Sequence, residues 1–441
     1  MVTIVSEQIQ SEPVCIVVGA SHAGVNCAFE LRKQGFSGRL VLIDADTHLP
    51  YHRPPLSKAF LNTPLDDAPA PLKAKSAYEQ ADIELFLGAM VTKVDAKENI
   101  VSFNKGGSGN AENGYSIKYT HLVFATGASP IIPSIPGLNV AENCLVMRNA
   151  KDALALKSLM NAKRENISNL NIVIVGAGYI GLEAAASLRK AGASVTVIER
   201  EERILARVAS ESVSNHVARI HQENGATILC QRNVSAVERD TDKGFQWIVC
   251  DNGERYRADA ILLGVGVRVN SELAQEAGTL LHRGAISVNT HMQTSIKNIW
   301  AIGDCTSFTH PLYGENSHIE SVQNALEQAK VAAKNIQQIS VANAGDAAPL
   351  QNYKAIPWFW SDQYNMKLQM VGLPVNADCQ VTRQESKEAL SVWHFVQNKL
   401  VSVEAINSPK SYVLGGRAID KNAFIDKSKL ADPSQSLADL L

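Results

Sequence analysis

The chain carries almost no excess charge of either sign. Its 441 residues include 42 Lys and Arg against 44 Asp and Glu, which gives a formal net charge of −2 at pH 7. This balance provides no overall field to attract nucleic acid or an anionic membrane surface, so neither partner is predicted. A hydrophobic content of 45% instead predicts a globular protein with sizeable cores, and the length predicts two to four domains at roughly 150 residues each.

Long apolar runs are absent as well. No stretch reaches roughly 18 uninterrupted apolar residues, the minimum expected of a membrane-spanning helix. The N-terminal sequence MVTIVSEQIQSEP lacks the basic start and apolar segment of a secretory signal. Together these absences predict a cytoplasmic protein.

Cysteine is scarce and scattered, and no two cysteines stand in C-x-x-C or C-x-x-x-x-C spacing. The seven are Cys15, Cys27, Cys144, Cys230, Cys250, Cys305 and Cys379. This distribution predicts reduced thiols rather than a disulfide framework. The eleven histidines form no metal-ligand pattern, so no metal centre is predicted.

One internal repeat organises what is present. Residues 14–44 and residues 171–199 both read as a short apolar run, a Gly-rich turn, a segment of helical period and a second apolar run that ends in an acid. The apolar runs are short and rich in β-branched residues, which is typical of buried parallel strands. The repeat therefore predicts two βαβ units.

The second Gly-rich turn is a complete G-x-G-x-x-G, formed by Gly176, Gly178 and Gly181. These glycines suit a tight turn, close approach of a pyrophosphate and helix–strand packing, respectively. Glu199 follows at the end of the next strand, where an acid accepts hydrogen bonds from ribose hydroxyls. The motif predicts a dinucleotide site, and the residues assigned to it are Gly176, Gly178, Tyr179, Ile180, Gly181, Glu199 and Gly266.

The first turn departs from the motif at one position. Ser21 stands between Gly19 and Gly24 where the middle glycine is expected, and Asp44 occupies the place of the ribose-binding acid. We predict a second nucleotide site here. The alternative is a packing turn with Asp44 on a solvated loop.

Two nucleotide sites in one chain predict a redox relay, in which a nicotinamide dinucleotide delivers a hydride and a flavin accepts it and releases single electrons. The order of motifs assigns the flavin to the first site. Thr126 and Gly127 end a strand between the two copies, and Asp304 follows the second copy, where it is expected to bond ribityl hydroxyls. Each dipeptide alone is more often an ordinary turn, so the prediction depends on their order.

At this point the sequence resembles the flavin-dependent NADH:ferredoxin reductases of bacterial oxygenase systems, within the glutathione-reductase-like superfamily. The resemblance runs from about Val14 to Leu441, and its most specific marks are Arg53-Pro-Pro-Leu-Ser-Lys58, Gly181-Leu-Glu183, Ala301-Ile-Gly-Asp304, Glu320-Ser-Val322 and Pro357-Trp-Phe-Trp-Ser-Asp-Gln363. It implies FAD in the first unit, NADH in the second and a [2Fe–2S] ferredoxin as electron acceptor. Disulfide reductases of the superfamily carry a cysteine pair in the first unit, but here no cysteine lies between Cys27 and Cys144.

The resemblance also implies roles for particular residues. Residues matching Arg53 and Lys58 line the flavin, and Lys58 pairs with the acid matching Glu183. Without the resemblance, Lys58 and Glu183 would be read as ordinary exposed charges.

Two further segments are implied to lie by the flavin. Glu320 and Val322 open a long helix whose N-terminus would stabilise anionic reduced flavin; a surface helix with an acidic first turn is the alternative. Trp358 and Trp360 share one face if the segment is a strand, and one of them is implied to lie by the flavin. Core packing is an equally good role for this pair.

Glu199 favours NADH, because a carboxylate repels the 2′-phosphate of NADPH; Arg200 and Arg203 follow closely and would soften that preference. The segment from Pro409 to Leu430 holds five basic residues against two acids, which predicts either a docking patch for an acidic ferredoxin or a solvated mixed-charge surface. The basic residues are Lys410, Arg417, Lys421, Lys427 and Lys429.

The predicted fold is α/β, with two Rossmann-like nucleotide-binding domains, one inserted in the other, and a smaller α+β C-terminal domain. We assign residues 13–126 and 267–338 to FAD, 127–266 to NADH and 350–441 to the C-terminal domain. The chain is predicted to act as a monomer or dimer. Rival hypotheses are a reductase of a rubredoxin or of a small molecule such as a quinone or monodehydroascorbate, and a non-enzymatic NADH-sensing flavoprotein.

Overall fold

The computed structural model describes residues 12–106, 114–240, 244–341 and 349–440. Most of the N-terminal segment used above to predict location therefore lies outside the described residues. Within those ranges no helix is both long and apolar enough to cross a membrane. In the same residues, no group of three or more His, Cys, Asp and Glu side chains is arranged to hold a metal ion.

The helices are α1 His22–Lys33, α2 Lys75–Gln80, α3 Ala150–Ala162, α4 Tyr179–Ala191, α5 Glu211–Glu223, α6 Glu272–Glu276, α7 Val322–Val341, α8 Pro409–Lys421, α9 Lys427–Ala431 and α10 Leu437–Leu440. The strands are β1 Val14–Val18, β2 Arg39–Ile43, β3 Glu84–Phe86, β4 Ala89–Asp95, β5 Ile100–Lys105, β6 Gly114–Lys118, β7 His121–Phe124, β8 Ala128–Pro130, β9 Cys144–Leu145, β10 Asn171–Val175, β11 Ser194–Ile198, β12 Thr227–Leu229, β13 Val234–Asp240, β14 Phe245–Cys250, β15 Arg255–Ala258, β16 Ala260–Leu263, β17 Val267–Val269, β18 Leu281–His282, β19 Ala285–Ser287, β20 Ile299–Ala301, β21 Thr306–Thr309, β22 Asn316–Ser317, β23 Trp358–Gln363, β24 Met366–Gly372, β25 Cys379–Ser386, β26 Ala389–Val396 and β27 Lys399–Ile406.

The described residues form two compact units, each assembled from three stretches of chain. The first unit takes its residues from Met1–His52, Ala70–Ser129 and Val269–Pro357. The second takes its residues from Arg53–Pro69, Pro130–Arg268 and Trp358–Leu441.

The first unit is built on a parallel sheet in the order β20-β7-β1-β2-β3. All five residues of β1 are buried, which explains why the run VCIVV has no polar alternation. The helices α1 and α7 pack against each other beside the sheet. Two smaller sheets, β4-β5-β6 and β18-β19-β21-β22, complete this unit.

The second unit repeats the arrangement and adds an antiparallel sheet. Its parallel sheet has the order β12-β11-β10-β16-β9, and β10 pairs with β11 in the same way as β1 pairs with β2. The C-terminal part is the antiparallel sheet β23-β24-β27-β26-β25, with α8 packed against β24 and β27. The predicted α/β class, with two Rossmann-like folds and an α+β C-terminal domain, is confirmed; the three-domain boundaries stay predictions.

Candidate active site

The two Gly-rich turns have the same backbone geometry. Gly19 has φ +106° and Gly176 has φ +102°, a region that L-residues with a side chain rarely adopt. A Cβ on Gly19 would lie 2.2 Å from the carbonyl oxygen of Ala125, and one on Gly176 would lie 2.5 Å from that of Gly264. Each turn is therefore pressed against the end of a neighbouring parallel strand, and glycine is required there by the fold itself.

Gly178 differs, because nothing in the described chain requires a glycine there. It caps α4 with φ −79°, and a Cβ built on it would have no described atom within 4 Å. Open space above a helix N-terminus, beside a backbone without a side chain, fits a pyrophosphate that approaches closely. Ser21 holds the corresponding place as the cap of α1, so a small side chain is accommodated in the first turn.

In each βαβ unit, the acid that follows the second strand accepts a hydrogen bond from the Gly-rich turn of the same unit. One carboxylate oxygen of Asp44 accepts a hydrogen bond from the backbone N–H of Ala20, and the other accepts one from Asp46 at 2.7 Å. Glu199 repeats this, because its Oε2 accepts from the N–H of Ala177 at 2.6 Å. The two predicted ribose-binding acids are thus fixed at the turns on which nucleotides would lie.

Arg200 and Arg203 in the loop after β11 make different contacts, although both were expected to soften the preference for NADH. The Arg203 guanidinium donates to the carbonyl oxygens of Ala206 and Ala209 at 3.0 and 2.9 Å, and to Ser214 Oγ at 2.5 Å. Arg200 is exposed and forms an ion pair with a neighbouring glutamate. Arg203 therefore braces the loop from within, and the expectation that it softens the coenzyme preference is not supported by its contacts.

The turn at Ala125-Thr126-Gly127 is held by a residue that sequence reasoning missed. Thr126 Oγ1 donates to the carbonyl oxygen of Asn270 at 2.6 Å, and Asn270 Nδ2 donates back to the carbonyl of Thr126 at 2.9 Å. The N–H of Asn270 also donates to Gly127, whose φ is +63°. No motif marks Asn270, because its partner lies 144 residues earlier in the chain.

A second missed residue supports the turn that carries Asp304. Gln328, fully buried on α7, accepts hydrogen bonds through Oε1 from the N–H of Gly303 at 2.6 Å and from Thr306 Oγ1 at 3.1 Å. Its Nε2 is buried and has no hydrogen-bond partner among the described residues. A buried donor left in this state costs free energy unless a bound group or water accepts from it. The orphan therefore fits a ligand at the Gly303–Asp304 turn.

The helix α7 begins where the sequence predicts, at Val322. Ser321 caps it, because its hydroxyl accepts from the N–H of Asn324 at 3.1 Å. Glu320 lies just outside the helix and its Oε1 contacts His318 Nε2 at 2.9 Å. This contact is the main cause of a raised pKa at His318, so Glu320 already has a cationic partner when His318 is protonated.

The structure brings together Lys58 and Glu183, which are far apart in sequence. Lys58 Nζ lies 2.9 Å from Glu183 Oε1, and the carboxylate is only 5% exposed. Two hydroxyls also donate to this carboxylate, Ser57 at 2.7 Å and Ser361 at 2.6 Å. Three donors on one buried carboxylate satisfy its charge, which excludes the exposed-charge alternative for Glu183. Both serines stand inside motifs singled out from the sequence, but only their neighbours were assigned roles.

The segment that carries Lys58 is held both by its own short helices and by one distant contact. Lys58 lies between two short 3-10 helices, Pro54–Ser57 and Ala59–Asn62, and Arg53 precedes the first of them. The Arg53 guanidinium donates to the carbonyl of Arg148 at 2.7 Å. Prolines at the start of the first 3-10 helix fix φ there and reduce the freedom of the chain.

The strand β23 has two distinct faces. Trp358 and Trp360 lie on one face with ring centroids 5.6 Å apart, and Lys58 Nζ lies 5.9 Å from the ring of Trp360. On the other face, Phe359 packs against Tyr179 at 4.6 Å between ring centroids. The prediction that the two tryptophans share a face is met, and Trp360 is the one that approaches the ion pair.

Thiol chemistry has no support in the first unit. Cys15 and Cys27 are fully buried, and burial raises the pKa of the Cys27 thiol to about 12. A thiol that stays protonated at neutral pH is neither a nucleophile nor a metal ligand.

Residues 13–329 match the family described as pyridine nucleotide-disulphide oxidoreductase, and residues 358–441 match the family described as reductase C-terminal. The chain belongs to the pyridine nucleotide-disulphide oxidoreductase family. It is therefore an oxidoreductase that uses FAD and NADH, and the resemblance stated from the sequence is confirmed. The turns at Gly19 and Gly176, the open space at Gly178 and the unpaired amide of Gln328 fit these groups.

Similar proteins of full length are known. The chain is 32% identical, over 96% of its length and 97% of the other, to the ferredoxin--NAD(+) reductase component of the p-cumate 2,3-dioxygenase system of Pseudomonas putida. It is also 32% identical, over 91% of its length and 98% of the other, to rubredoxin-NAD(+) reductase of Pseudomonas putida. Among solved structures, the ferredoxin reductase for the CYP199A2 system of Rhodopseudomonas palustris superposes with a TM-score of 0.86 at 31% identity, covering 97% of this chain and 99% of that one.

Proposed function

We propose that the protein is an FAD-dependent NADH:ferredoxin oxidoreductase that supplies single electrons to a [2Fe–2S] ferredoxin serving an oxygenase. The observation that carries the proposal is the combination of two nucleotide-binding turns with a reductase C-terminal domain at 358–441. The relative from the p-cumate dioxygenase system aligns with this chain over 97% of its own length.

When bound, FAD supplies the conversion of a two-electron hydride from NADH into single electrons. The chain supplies binding and electrostatics. In the first unit, Asp44 and Asp304 would hold the flavin nucleotide, together with Gly19 and Gly24. Gly178 and Glu199 hold NADH, the first by exposing backbone N–H groups at a helix N-terminus and the second by accepting from ribose hydroxyls.

We assign Lys58 and Glu183 an electrostatic role, in which they tune the redox reaction. A lysine held against a buried carboxylate is a fixed dipole rather than a bare charge, and a dipole that is already oriented acts on charge that develops during a reaction without reorganising solvent. No acid or base is needed for hydride transfer, so the protein contributes position and field.

The acceptor is proposed to dock on α8. Val413, Arg417 and Lys421 follow one another at intervals of four residues, which places them on one stripe of the helix, and all three are exposed. Phe424, just after the helix, is 79% exposed. An exposed aromatic beside exposed cations suits an acidic protein surface. Lys427 contributes less, because its Nζ donates to the carbonyl of Gln397 at 2.5 Å.

The proposal is tested with purified holoprotein, NADH and a [2Fe–2S] ferredoxin in a cytochrome c assay. Cytochrome c reduction is expected to need the ferredoxin, and NADH is expected to give the higher kcat/KM of the two coenzymes. The double charge reversal R417E/K421E is expected to slow ferredoxin-dependent reduction and flatten its salt dependence, while ferricyanide reduction keeps its rate. Equal cytochrome c reduction with and without ferredoxin would refute the assignment of the acceptor.

A rubredoxin acceptor is the second candidate, because rubredoxin-NAD(+) reductase matches nearly the full chain at the same level of identity. The same assay with a rubredoxin in place of the ferredoxin separates the two. A non-enzymatic NADH sensor, the third hypothesis, would give no sustained turnover with ferricyanide. We place the protein in the cytoplasm, where its seven unpaired cysteines would stay reduced.

A further inference from the structure

The inner face of β23 carries polar side chains that the proposed reaction does not use. Ser361 and Gln363 are two residues apart on the strand, so they point to the same side as Phe359 and away from the two tryptophans. Ser361 is 0% and Gln363 is 1% exposed. Buried polar residues on a strand need partners, and their partners define what this face does.

The partners form a chain that ends on Glu183. Ser361 Oγ lies 2.6 Å from Glu183 Oε1, the oxygen that also receives Lys58. Gln363 Nε2 lies 3.1 Å from Ser361 Oγ, and Gln363 Oε1 lies 2.7 Å from His221 Nε2. His221 is fully buried on α5, one helix away from Glu183 on α4. Two side chains, Ser361 and Gln363, thus connect the ion pair to a buried histidine.

The direction of every bond in this chain follows from the charge at its end. An ionised carboxylate only accepts, so Ser361 must give its one proton to Glu183. The serine oxygen then accepts, so Gln363 must turn its NH₂ group toward it. The Gln363 carbonyl is left facing His221, whose Nε2 must therefore carry a proton. Burial lowers the pKa of His221, so the ring is neutral at pH 7 and its Nδ1 bears a lone pair.

We propose that Ser361, Gln363 and His221 are positioning residues that fix the Glu183 carboxylate by a hydrogen-bond chain running in one direction, and through it fix the place of the Lys58 ammonium. The proposal rests on the proposed function of the Lys58–Glu183 pair. Its physical basis is that each bond fixes the direction of the next one. Reversing any single bond would leave two donors or two acceptors facing each other, or would remove the hydroxyl donor from Glu183.

The contacts at Glu183 explain why two serine hydroxyls donate to its carboxylate. Ser57 donates to Glu183 Oε2 at 2.7 Å and Ser361 to Oε1. With one donor on each oxygen, the plane of the carboxylate is set without Lys58. Removing the Ser361 hydroxyl leaves Lys58 as the remaining donor to Oε1 among the described residues, so the carboxylate can turn and the ammonium can move with it.

The first test reads the proton on His221 and needs no activity. Ring-¹⁵N NMR at pH 7.5, with the His221 signal assigned by its loss in H221Q, is expected to show the Nε2–H form with an unprotonated Nδ1. The Nδ1–H form would mean that the chain runs the other way, and would overturn the proposal.

The second test measures the rate constant for flavin reduction by NADH in stopped flow. We expect S361A to slow it several-fold with the Kd of NADH unchanged, and S361T, which keeps the hydroxyl, to restore it. Q363M is expected to be slow too, and the double variant S361A/Q363M to be no slower than S361A alone, because Gln363 acts through Ser361. Additive losses would overturn the proposal.

A matched control lies in the same sheet. Ser402 on β27 is fully buried, and its hydroxyl has no hydrogen-bond partner among the described residues. S402A therefore removes a buried serine hydroxyl without removing a hydrogen bond, and is expected to keep the wild-type rate of flavin reduction. A loss in S402A equal to that in S361A would assign the effect to general loosening of the sheet and would count against positioning.

E183Q separates this proposal from the proposed function. If E183Q slows flavin reduction and S361A does not, the pair matters and the positioning chain is wrong. If E183Q leaves the rate unchanged, the tuning role of the pair is wrong. The unfolding temperatures of S361A, E183Q and S361A/E183Q then test whether the hydrogen-bond chain couples Ser361 to Glu183. Non-additive temperature shifts would support it, whereas additive shifts would overturn it.

Discussion

At the scale of single residues, the charge on Glu183 decides much of what surrounds it. Its carboxylate is 5% exposed, whereas the Lys58 side chain keeps 17% of its surface in solvent. Taking a carboxylate out of water costs several kcal/mol, which only donors in good geometry offset. The two partners of the ion pair therefore differ in burial, so losing one is not equivalent to losing the other.

Removing either partner should accordingly have unequal effects on stability. K58M leaves an ionised, buried Glu183 with two hydroxyl donors and no cation, and is expected to lower the free energy of unfolding by about 3–5 kcal/mol. E183Q leaves an ammonium that reaches solvent, so its cost should be smaller. The double variant K58M/E183Q should be more stable than K58M. Urea unfolding followed by circular dichroism measures all three, and a double variant less stable than K58M would contradict this account.

Gln328 gives a second prediction at this scale. Q328L removes the acceptor for the N–H of Gly303, which then lies buried without a partner beside Asp304. An unsatisfied buried donor costs about 1–3 kcal/mol, so the Kd of FAD should rise roughly tenfold to hundredfold. Fluorescence titration of apoprotein with FAD measures it. Q337L, a change of the same kind at a partly exposed position of α7, should leave the Kd unchanged; an equal rise in both variants would assign the effect to the helix.

At the scale of elements, the loop between β11 and α5 combines two functions that the sequence does not separate. Glu199 begins the loop and Ser210 caps α5 at its end, where the N–H of Ser210 donates to Glu404 at 3.0 Å. Arg203 joins the middle of the loop to Ser214 on α5. The loop is therefore held at both ends and at its centre, whereas Arg200 and Arg207 are exposed to solvent.

Substitutions at the two arginines should separate these functions. R203L removes three hydrogen bonds, two within the loop and one to α5, so we expect KM for NADH and for NADPH to rise by the same factor, about tenfold, with their ratio unchanged. R200L should lower kcat/KM for NADPH alone, because it removes the exposed cation that directly follows Glu199. Steady-state kinetics with ferricyanide measures both, and a changed coenzyme ratio in R203L would show that its guanidinium meets the 2′-phosphate.

At the scale of the whole molecule, the sequence predicted whatever repeats or is local. The copies at 14–44 and 171–199 gave both parallel sheets, because glycine turns and buried strands leave local patterns. The partners of Glu183 could not be found this way, since Ser57 and Ser361 lie 126 and 178 residues from it. A serine that bonds a distant carboxylate looks like any other serine, so motifs marked the region of the site but not its hydrogen bonds.

Two buried histidines in the first unit set how its stability depends on pH. Burial lowers the pKa of His121 and of His310 to about 4. In His310, Nδ1 accepts from the N–H of Leu312 at 3.2 Å, whereas the carbonyl of Ala355, 3.2 Å from Nε2, raises the pKa and only partly offsets the effect of burial. His121 has a buried Nδ1 without a partner among the described residues. Protonation of either ring therefore opposes folding.

The sign of the pH effect follows from these shifts. In the unfolded chain a histidine binds a proton below about pH 6.5, whereas these two stay neutral in the fold down to about pH 4. The unfolded state then binds more protons, so stability falls as the pH drops from 6.5 to 4, by about 2 kcal/mol for each ring between pH 7 and pH 5. His216 and His221 add to this loss, since burial lowers their pKa values too; His318 opposes it, since its pKa is raised.

Calorimetry of the holoprotein at pH 7 and pH 5 should therefore show a clear fall in the unfolding temperature. H310N keeps an acceptor for the N–H of Leu312, and H121Q keeps a polar atom near Ser340, whose hydroxyl lies 3.1 Å from His121 Nε2. Each variant removes one titrating ring, so each should reduce the fall, and the double variant should reduce it by the sum of the two because the rings share no partner. A fall of wild-type size in H121Q/H310N would place the pH dependence on other groups and contradict the assignment to these two buried rings.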